Sequence, residues 1–300
     1  MYQLSPHIHE KVRKSVLITG SARGGTSIFG KLLASLETVE YFFEPPTINS
    51  LFTVIDEMPD ELARFLFDTY VFEDLLVGAL SGRAINLRAQ DDSSVRHTKT
   101  SKEIALRMEG AARKRELDTS AAKIVIKMPS FVHRLPEIYE ILQINQLIVL
   151  IREPESAINS LLRRGWFSNA LLQAGDIIWP NRYDGALPAP HWVPRTMLEE
   201  WENMSEPDRA ALYYITQTNL SESVNATVFD YEQIIARPRA LLAVVADQMG
   251  LEFGPCSKTL LNEVTVQKTT SKFDLGLLRD EFRSLVIETY ERTRERRVRV

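Results

Sequence analysis

The segment Ser15-Val-Leu-Ile-Thr-Gly-Ser-Ala-Arg-Gly-Gly-Thr-Ser27 constrains the fold of this chain more than any other stretch. Val16, Leu17 and Ile18 form a short apolar run of the kind that becomes a strand buried on both faces. Gly20, Gly24 and Gly25 follow, and glycine adopts backbone angles closed to other residues. Successive N–H groups in such a turn can converge on an anion. Thr26 to Ala34 then reads as a helix, whose N-terminus favours negative charge. The pattern is that of a phosphate cradle between a strand and a helix. It also fits a tight β–α turn that binds nothing.

Gly20 and Gly25 have Walker A spacing, with Thr26-Ser27 where that motif has Lys-Ser/Thr. The lysine that reaches the β/γ-phosphates is missing, and the loop's cation is Arg23 instead. Such a loop is expected to hold a phosphate, but not one of a metal-bound triphosphate. A second apolar run, Gln146-Leu-Ile-Val-Leu-Ile151, reads as another buried strand. It ends in Arg152-Glu-Pro154, where a Walker B strand would end in a Mg²⁺-binding Asp. Arg152 and Ser160 are about two helical turns apart, so both can face one side. A guanidinium and a hydroxyl there suit a phosphate monoester. The alternative for Arg152 is a carbonyl cap or a carboxylate pair.

Together these segments resemble the sulfotransferases that use 3′-phosphoadenosine 5′-phosphosulfate (PAPS). Arg23-Gly-Gly-Thr-Ser27 stands where that family grips the 5′-phosphosulfate, and Arg152-Glu-Pro154 with Ser160 matches its 3′-phosphate signature. Val228-Phe-Asp-Tyr-Glu-Gln-Ile-Ile-Ala-Arg-Pro238, followed by a helix and Met249-Gly-Leu251, is similar to the family's third segment, with Gln233 replacing Asp. The resemblance runs from about residue 15 to about residue 253. It implies an α/β fold of the P-loop NTPase-like sulfotransferase type, a mainly parallel sheet flanked by helices. It implies PAPS as co-substrate, with Arg23, Gly24, Gly25, Thr26, Ser27, Arg152, Ser160 and Tyr231 binding it. Tyr231 matches the tyrosine that approaches the adenine. The family's late basic loop has one counterpart here, Val266–Lys272, which lacks the usual glycine; Lys268 and Lys272 are its candidates to close over the nucleotide.

The order of elements agrees with that fold on independent grounds. Strands are expected at Val16–Thr19, Tyr41–Phe43, Ile124–Lys127, Leu147–Ile151 and Thr227–Phe229, with helical or irregular stretches between them. That alternation argues for a parallel sheet whose ligand site lies beyond the strands' carboxyl ends. The chain reads as a single domain over residues 1–300, with insertions at 56–120 and 166–200 expected to cover an acceptor site. Within the first, Leu62, Phe65, Leu66, Tyr70 and Leu76 have helical spacing, and Gln90–Ser101 reads as a mobile polar loop. The second, rich in Pro and aromatic residues, fits a lid or plain structural cover.

Glu44 ends the run Tyr41-Phe-Phe-Glu-Pro-Pro46 and is the candidate general base. Carbohydrate-type members of the family have a similar Phe-Glu-Pro segment, which points to a carbohydrate or other small-molecule acceptor. The alternative is that Glu44 orders the loop or pairs with a cation. Lys127 closes the strand Lys123-Ile-Val-Ile-Lys127; the resemblance places it near the reacting sulfuryl group, as a second catalytic residue. Pro129 stands where cytosolic small-molecule members carry a catalytic His, which leaves His133 as the other possible base. A P-loop kinase would need Lys31 to replace the missing lysine, and an inactive nucleotide-binding protein is the non-enzymatic reading.

Composition narrows the classes further. A net charge of −4 gives no global argument for nucleic-acid or membrane partners, and no apolar run reaches spanning length. The basic stretch Arg292–Val300 reads as a solvated helix end. The single Cys256 excludes an intrachain disulfide. Residues 1–10 lack the apolar core of a signal peptide, so a cytoplasmic location is expected. No metal is expected, because the five histidines are scattered.

Overall fold

The computed structural model describes residues 4–109, 117–174, 179–264 and 271–299. Five strands, β1 (Val16–Gly20), β2 (Val39–Phe43), β3 (Lys123–Lys127), β4 (Gln146–Ile151) and β5 (Thr227–Asp230), form one sheet in the order β2-β3-β1-β4-β5. Every pairing is parallel, with Val16 opposite both Val125 and Gln146. The five expected strands are all present, each extended by one or two residues. The α/β class with a helix-flanked parallel sheet is therefore what the chain adopts.

Alternation along the strands divides the core between the two faces. Val16, Ile18, Val125, Ile148 and Leu150 point to one face, where Phe29, Leu33, Leu241 and Val245 of the helices Thr26–Ala34 and Pro238–Met249 cover them. Leu17, Ile124, Ile126, Leu147, Val149 and Ile151 point to the other. The helices Pro46–Thr53, Leu135–Leu142, Pro154–Leu162, Glu206–Thr216 and Asp280–Glu295 pack there. Full burial of each such aliphatic or Phe side chain stabilises by about 1.5–3 kcal/mol. The helix after β1 thus packs on one face and the helix after β4 on the other, although β1 and β4 are neighbours. A crevice opens between them at the strands' carboxyl ends, the usual ligand position in open α/β sheets.

The first insertion is helical, but in a different phase from the expected one. In Asp60–Thr69 and the π-helical stretch Tyr70–Val77, Ala63, Phe67, Val71, Phe72, Leu76 and Val77 are the buried apolar positions, while Leu62 and Leu66 are exposed. A five-residue hydrogen-bond step shifts the inward face beyond Tyr70, which a uniform 3.6-residue period misses. The Gln90–Ser101 stretch is also more structured than an open loop. It contains a 3₁₀ turn at Val95–His97 and the first residue of the helix Ser101–Met108, which Thr100 and Glu103 cap reciprocally.

Phe167, Trp179 and Trp192 of the second insertion join Trp201 and Tyr213, which follow it, in a buried aromatic cluster. The rings of Trp179 and Trp192 lie 5.2 and 4.9 Å from that of Tyr213. Trp166 and Trp179 of this insertion also reach the crevice. Among the described residues, no helix is long and apolar enough to cross a membrane.

Candidate functional site

Residues following all five strands line the crevice. After β1, the loop Ser21–Gly25 turns into the helix Thr26–Ala34. Its conformation depends on Gly25, which caps that helix at φ +96°; a Cβ there would lie 2.5 Å from Tyr231 Cδ2. Elsewhere the loop is pinned by protein contacts: Ala22 N donates to Tyr213 Oη at 2.8 Å, and Ser130 N donates to Gly20 O at 2.9 Å. The N–H groups of Thr26, Ser27 and Ile28 belong to the helix's first turn and have no intrahelical acceptor. Gly25→Ala should cost about 1–3 kcal/mol of stability and weaken anion binding, because it adds both strain and overlap. Thermal unfolding and ligand titration check this, and a variant as stable and as tight-binding as wild type would contradict the packing argument.

Cations surround the turn. Arg152, at the tip of β4, is 8% exposed. Its Nη1 donates to Arg23 O at 2.8 Å, and its guanidinium lies 4.3 Å from the Tyr231 ring centroid. Its Nε is buried without a hydrogen-bond partner. A buried guanidinium with an uncommitted donor, next to a turn that excludes a Cβ, fits an anionic ligand. Arg23 Nε donates to Ser160 Oγ at 3.2 Å. Partial burial and then the like charges of Arg164 and Arg152 lower the Arg23 pKa, a repulsion that a bound anion relieves.

The second group of side chains lies across the strand tips. Lys127 is buried, with Nζ donating to Ser27 Oγ at 3.1 Å and to Glu44 Oε1, and lying 4.0 Å from the Phe43 ring centroid. Burial pushes its pKa down, opposed by the Glu44 carboxylate. Glu44 N donates to Lys127 O at 2.9 Å, so backbone and side chain both tie Glu44 to Lys127. Arg23, Glu44 and Ser130 have φ of +66°, +47° and +72°. Left-handed backbone costs a non-glycine residue about 1–2 kcal/mol, and these three line one cavity. Strain gathered this way is a mark of functional positions.

Two adjoining lobes make up the crevice. The basic lobe, about 300 Å³, is lined by Gly25, Ile28, Lys31, Arg152 and Tyr231. The aromatic lobe, about 270 Å³, is lined by Phe43, Met128, Phe131, Trp166 and Trp179, and as much by polar groups, among them Glu44, Lys127, Asn49 and Ser130. Arg23, Thr26, Ser27, Asp92 and Arg164 line both. The arrangement can hold an anion in one lobe and a molecule with both an apolar face and polar groups in the other, with Ser27, Lys127 and Glu44 linked at the boundary.

Nine of the ten predicted site residues thus come together, eight lining the lobes and Ser160 beside them on Arg23. Gly24 lies behind the loop, its N–H donating to Ser21 O at 2.9 Å. Tyr231 packs between Gly25 and Arg152, a supporting contact as well as a lobe wall. Asp92, Arg164, Asn49 and Ser130 were missed. Arg164 had one signal, its place at the end of the helix that follows Arg152-Glu-Pro154. Asp92 had none. Lys268 lies outside the described residues, and Lys272 pairs with Glu153 at 2.7 Å rather than entering either lobe. Among the described residues no three His, Cys, Asp or Glu side chains gather as a metal site.

His133 lines neither lobe. Gln217 Nε2 approaches its Nδ1 at 3.1 Å as amide donor, so the ring's lone pair is already engaged. Burial, then the charge of Arg134, lowers its pKa to about 3. His191 packs against Phe131 with both ring nitrogens unpartnered, and burial, then the charge of His133, lowers its pKa to about 2. Above pH 6.5 both imidazoles are neutral whether the chain is folded or not. Below it the unfolded chain takes up protons that the fold refuses. Stability should therefore fall between pH 6.5 and about 3, by about 1.4 kcal/mol per pH unit for each imidazole. Denaturant titrations at about pH 7 and about pH 4.5 measure the slope, which His191→Phe should make shallower; an unchanged slope would contradict a neutral buried His191.

No protein-family model and no curated protein matches this sequence. Among solved structures, the chain is similar to the sulfotransferase domain of an olefin synthase from Synechococcus, at 16% identity over 93% of each chain, with a TM-score of 0.45. It is similar to a sulfotransferase from Mycobacterium avium at 10% identity, over 96% of this chain and 79% of that one, with a TM-score of 0.44. A retinol dehydratase solved with androsterone and the inactive cofactor PAP aligns at 11% identity, over 98% and 85% of the two chains, with a TM-score of 0.35. At such identities and scores, what this crevice binds must be judged from its own residues.

Proposed function

We propose that the chain is a sulfotransferase that moves the sulfuryl group of PAPS to the hydroxyl of a compact acceptor, releasing adenosine 3′,5′-bisphosphate. The observation that carries this reading is the junction of the two lobes, where Lys127 Nζ joins Ser27 Oγ to the Glu44 carboxylate. A transfer reaction needs a fixed donor, an activated acceptor and positive charge where negative charge develops. The turn Arg23–Ser27 and Arg152 supply donors for the phosphates, and Ser160 extends them toward a 3′-phosphate. PAPS, when bound, supplies the electrophilic sulfur.

Glu44 takes the proton from the acceptor hydroxyl as its oxygen bonds to sulfur. The sulfur–oxygen bond to the 5′-phosphate breaks in the same displacement. Lys127 has three N–H donors, two of them engaged by Ser27 and Glu44, and the third can meet the charge on the departing phosphate oxygen. Rings such as Phe131, Trp166 and Trp179 around the aromatic lobe favour an acceptor with an apolar face. A cavity of about 150 Å³ holds benzene, so about 270 Å³ suits one or two rings.

The test is release of adenosine 3′,5′-bisphosphate from PAPS in the presence of single- and double-ring alcohols, phenols and sugars. Acceptor-dependent release supports the reading. Absence of release with every acceptor, by a protein that binds PAPS, would leave a binding protein instead.

A further inference from the structure

Asp92 lines both lobes, yet neither donor binding nor proton transfer gives it a task. The loop that carries it is shaped by its own side chains. Asn86 Nδ2 donates to Ser93 Oγ at 2.6 Å, Ser93 N and Oγ donate to Asp91 Oδ1 at 2.9 and 2.7 Å, and Val95 N closes onto Asn86 O at 2.9 Å. This closure sets Asp92 against the helix Thr26–Ala34, where Lys31 Nζ donates to its Oδ1 at 2.6 Å. Lys31 itself lines the basic lobe.

A native carboxylate thus stands among cations that otherwise suit a foreign anion. The Lys31 hydrogen bond, with the charges of Lys31, Lys127 and His97 behind it, holds the Asp92 carboxyl below its usual range. The influence runs the other way too, since Asp92 is one of the charges felt at Arg23 and Lys127. The Asp92 side chain is 62% exposed, and an ion pair this open exchanges readily for a better partner.

We propose that Asp92 sets the anion selectivity of the basic lobe: it holds Lys31, which a bound phosphate must take from it, and it repels ligands whose charge extends to the lobe junction. This rests on the reading of that lobe as a donor site. The ligand class is a phosphate ester with one or two negative charges near the turn. Ligands with more charge at the junction meet the carboxylate directly. Lys31 is then a donor-binding residue in the occupied state and a partner of Asp92 in the empty one.

Asp92→Asn keeps the side chain's shape and removes its charge. Calorimetric titration of inorganic pyrophosphate and of adenosine 3′,5′-bisphosphate into wild type, Asp92→Asn, Lys31→Gln and the double variant separates the possibilities. Asp92→Asn should tighten both ligands, pyrophosphate about tenfold and the nucleoside bisphosphate about threefold, and Lys31→Gln should weaken both. In the Lys31→Gln background the gain from Asp92→Asn should shrink, because the contested cation is gone. Unchanged or weaker pyrophosphate binding by Asp92→Asn, including binding by neither protein, overturns the proposal, as does a gain that persists in full without Lys31. Failure of the donor reading looks different: wild type would then bind the nucleoside bisphosphate no better than pyrophosphate, whatever Asp92→Asn does.

Discussion

Arg152→Ala is expected to weaken binding of adenosine 3′,5′-bisphosphate by about a hundredfold or more, the loss of two charge-assisted hydrogen bonds worth about 1.5–3 kcal/mol each. The guanidinium is buried, has an unpartnered Nε, and spans Arg23 O and the Tyr231 ring. Arg152→Lys should recover only part of the affinity, because an ammonium keeps the charge and loses the planar fork. Unfolding measurements separate ligand loss from fold loss: β4 is anchored by Leu147, Val149 and Ile151, so the variant should remain folded. Affinity within about threefold of wild type would remove Arg152 from the donor site.

Glu44→Gln is the second large effect. Removing a positioned general base typically costs about 10²–10⁴ in rate. The loss should appear in kcat, with the PAPS KM changed little, since Glu44 lines the aromatic lobe and not the basic one. The amide oxygen introduced by Glu44→Gln can still accept from Lys127, so the lysine stays in place and the variant isolates the proton transfer. Unchanged kcat would mean that Glu44 only orients Lys127. A raised PAPS KM with unchanged kcat would make it a binding residue.

Much of this fold was legible because buried parallel strands are continuous apolar runs, and Val16–Ile18 and Gln146–Ile151 carry no ambiguity of face. The residues just past those runs, Arg23 and Arg152, follow from the rule that such sheets bind ligands at strand ends. Gly25 was legible as a turn residue, but the reason it must be glycine, the Tyr231 ring against it, comes from a distant part of the chain. Asp92 was illegible for a related reason. Its place over Lys31 depends on the Asn86–Ser93 closure and on tertiary packing, and a polar loop shows no period from which to infer either. Leu62 and Leu66 have helical spacing yet face solvent, because Ala63, Phe67 and Val71, one position further on, already form the inward stripe.

The central claim is that this crevice holds a nucleoside bisphosphate rather than a metal-bound triphosphate. Titration calorimetry of the wild-type protein with adenosine 3′,5′-bisphosphate, compared with ATP plus Mg²⁺, tests it most directly. The residues at the turn predict clear preference for the bisphosphate: Arg23, Arg152 and Ser160 stand ready for phosphates, and the Walker lysine is absent. Preference for Mg²⁺-ATP would contradict the account and turn the crevice into that of a kinase.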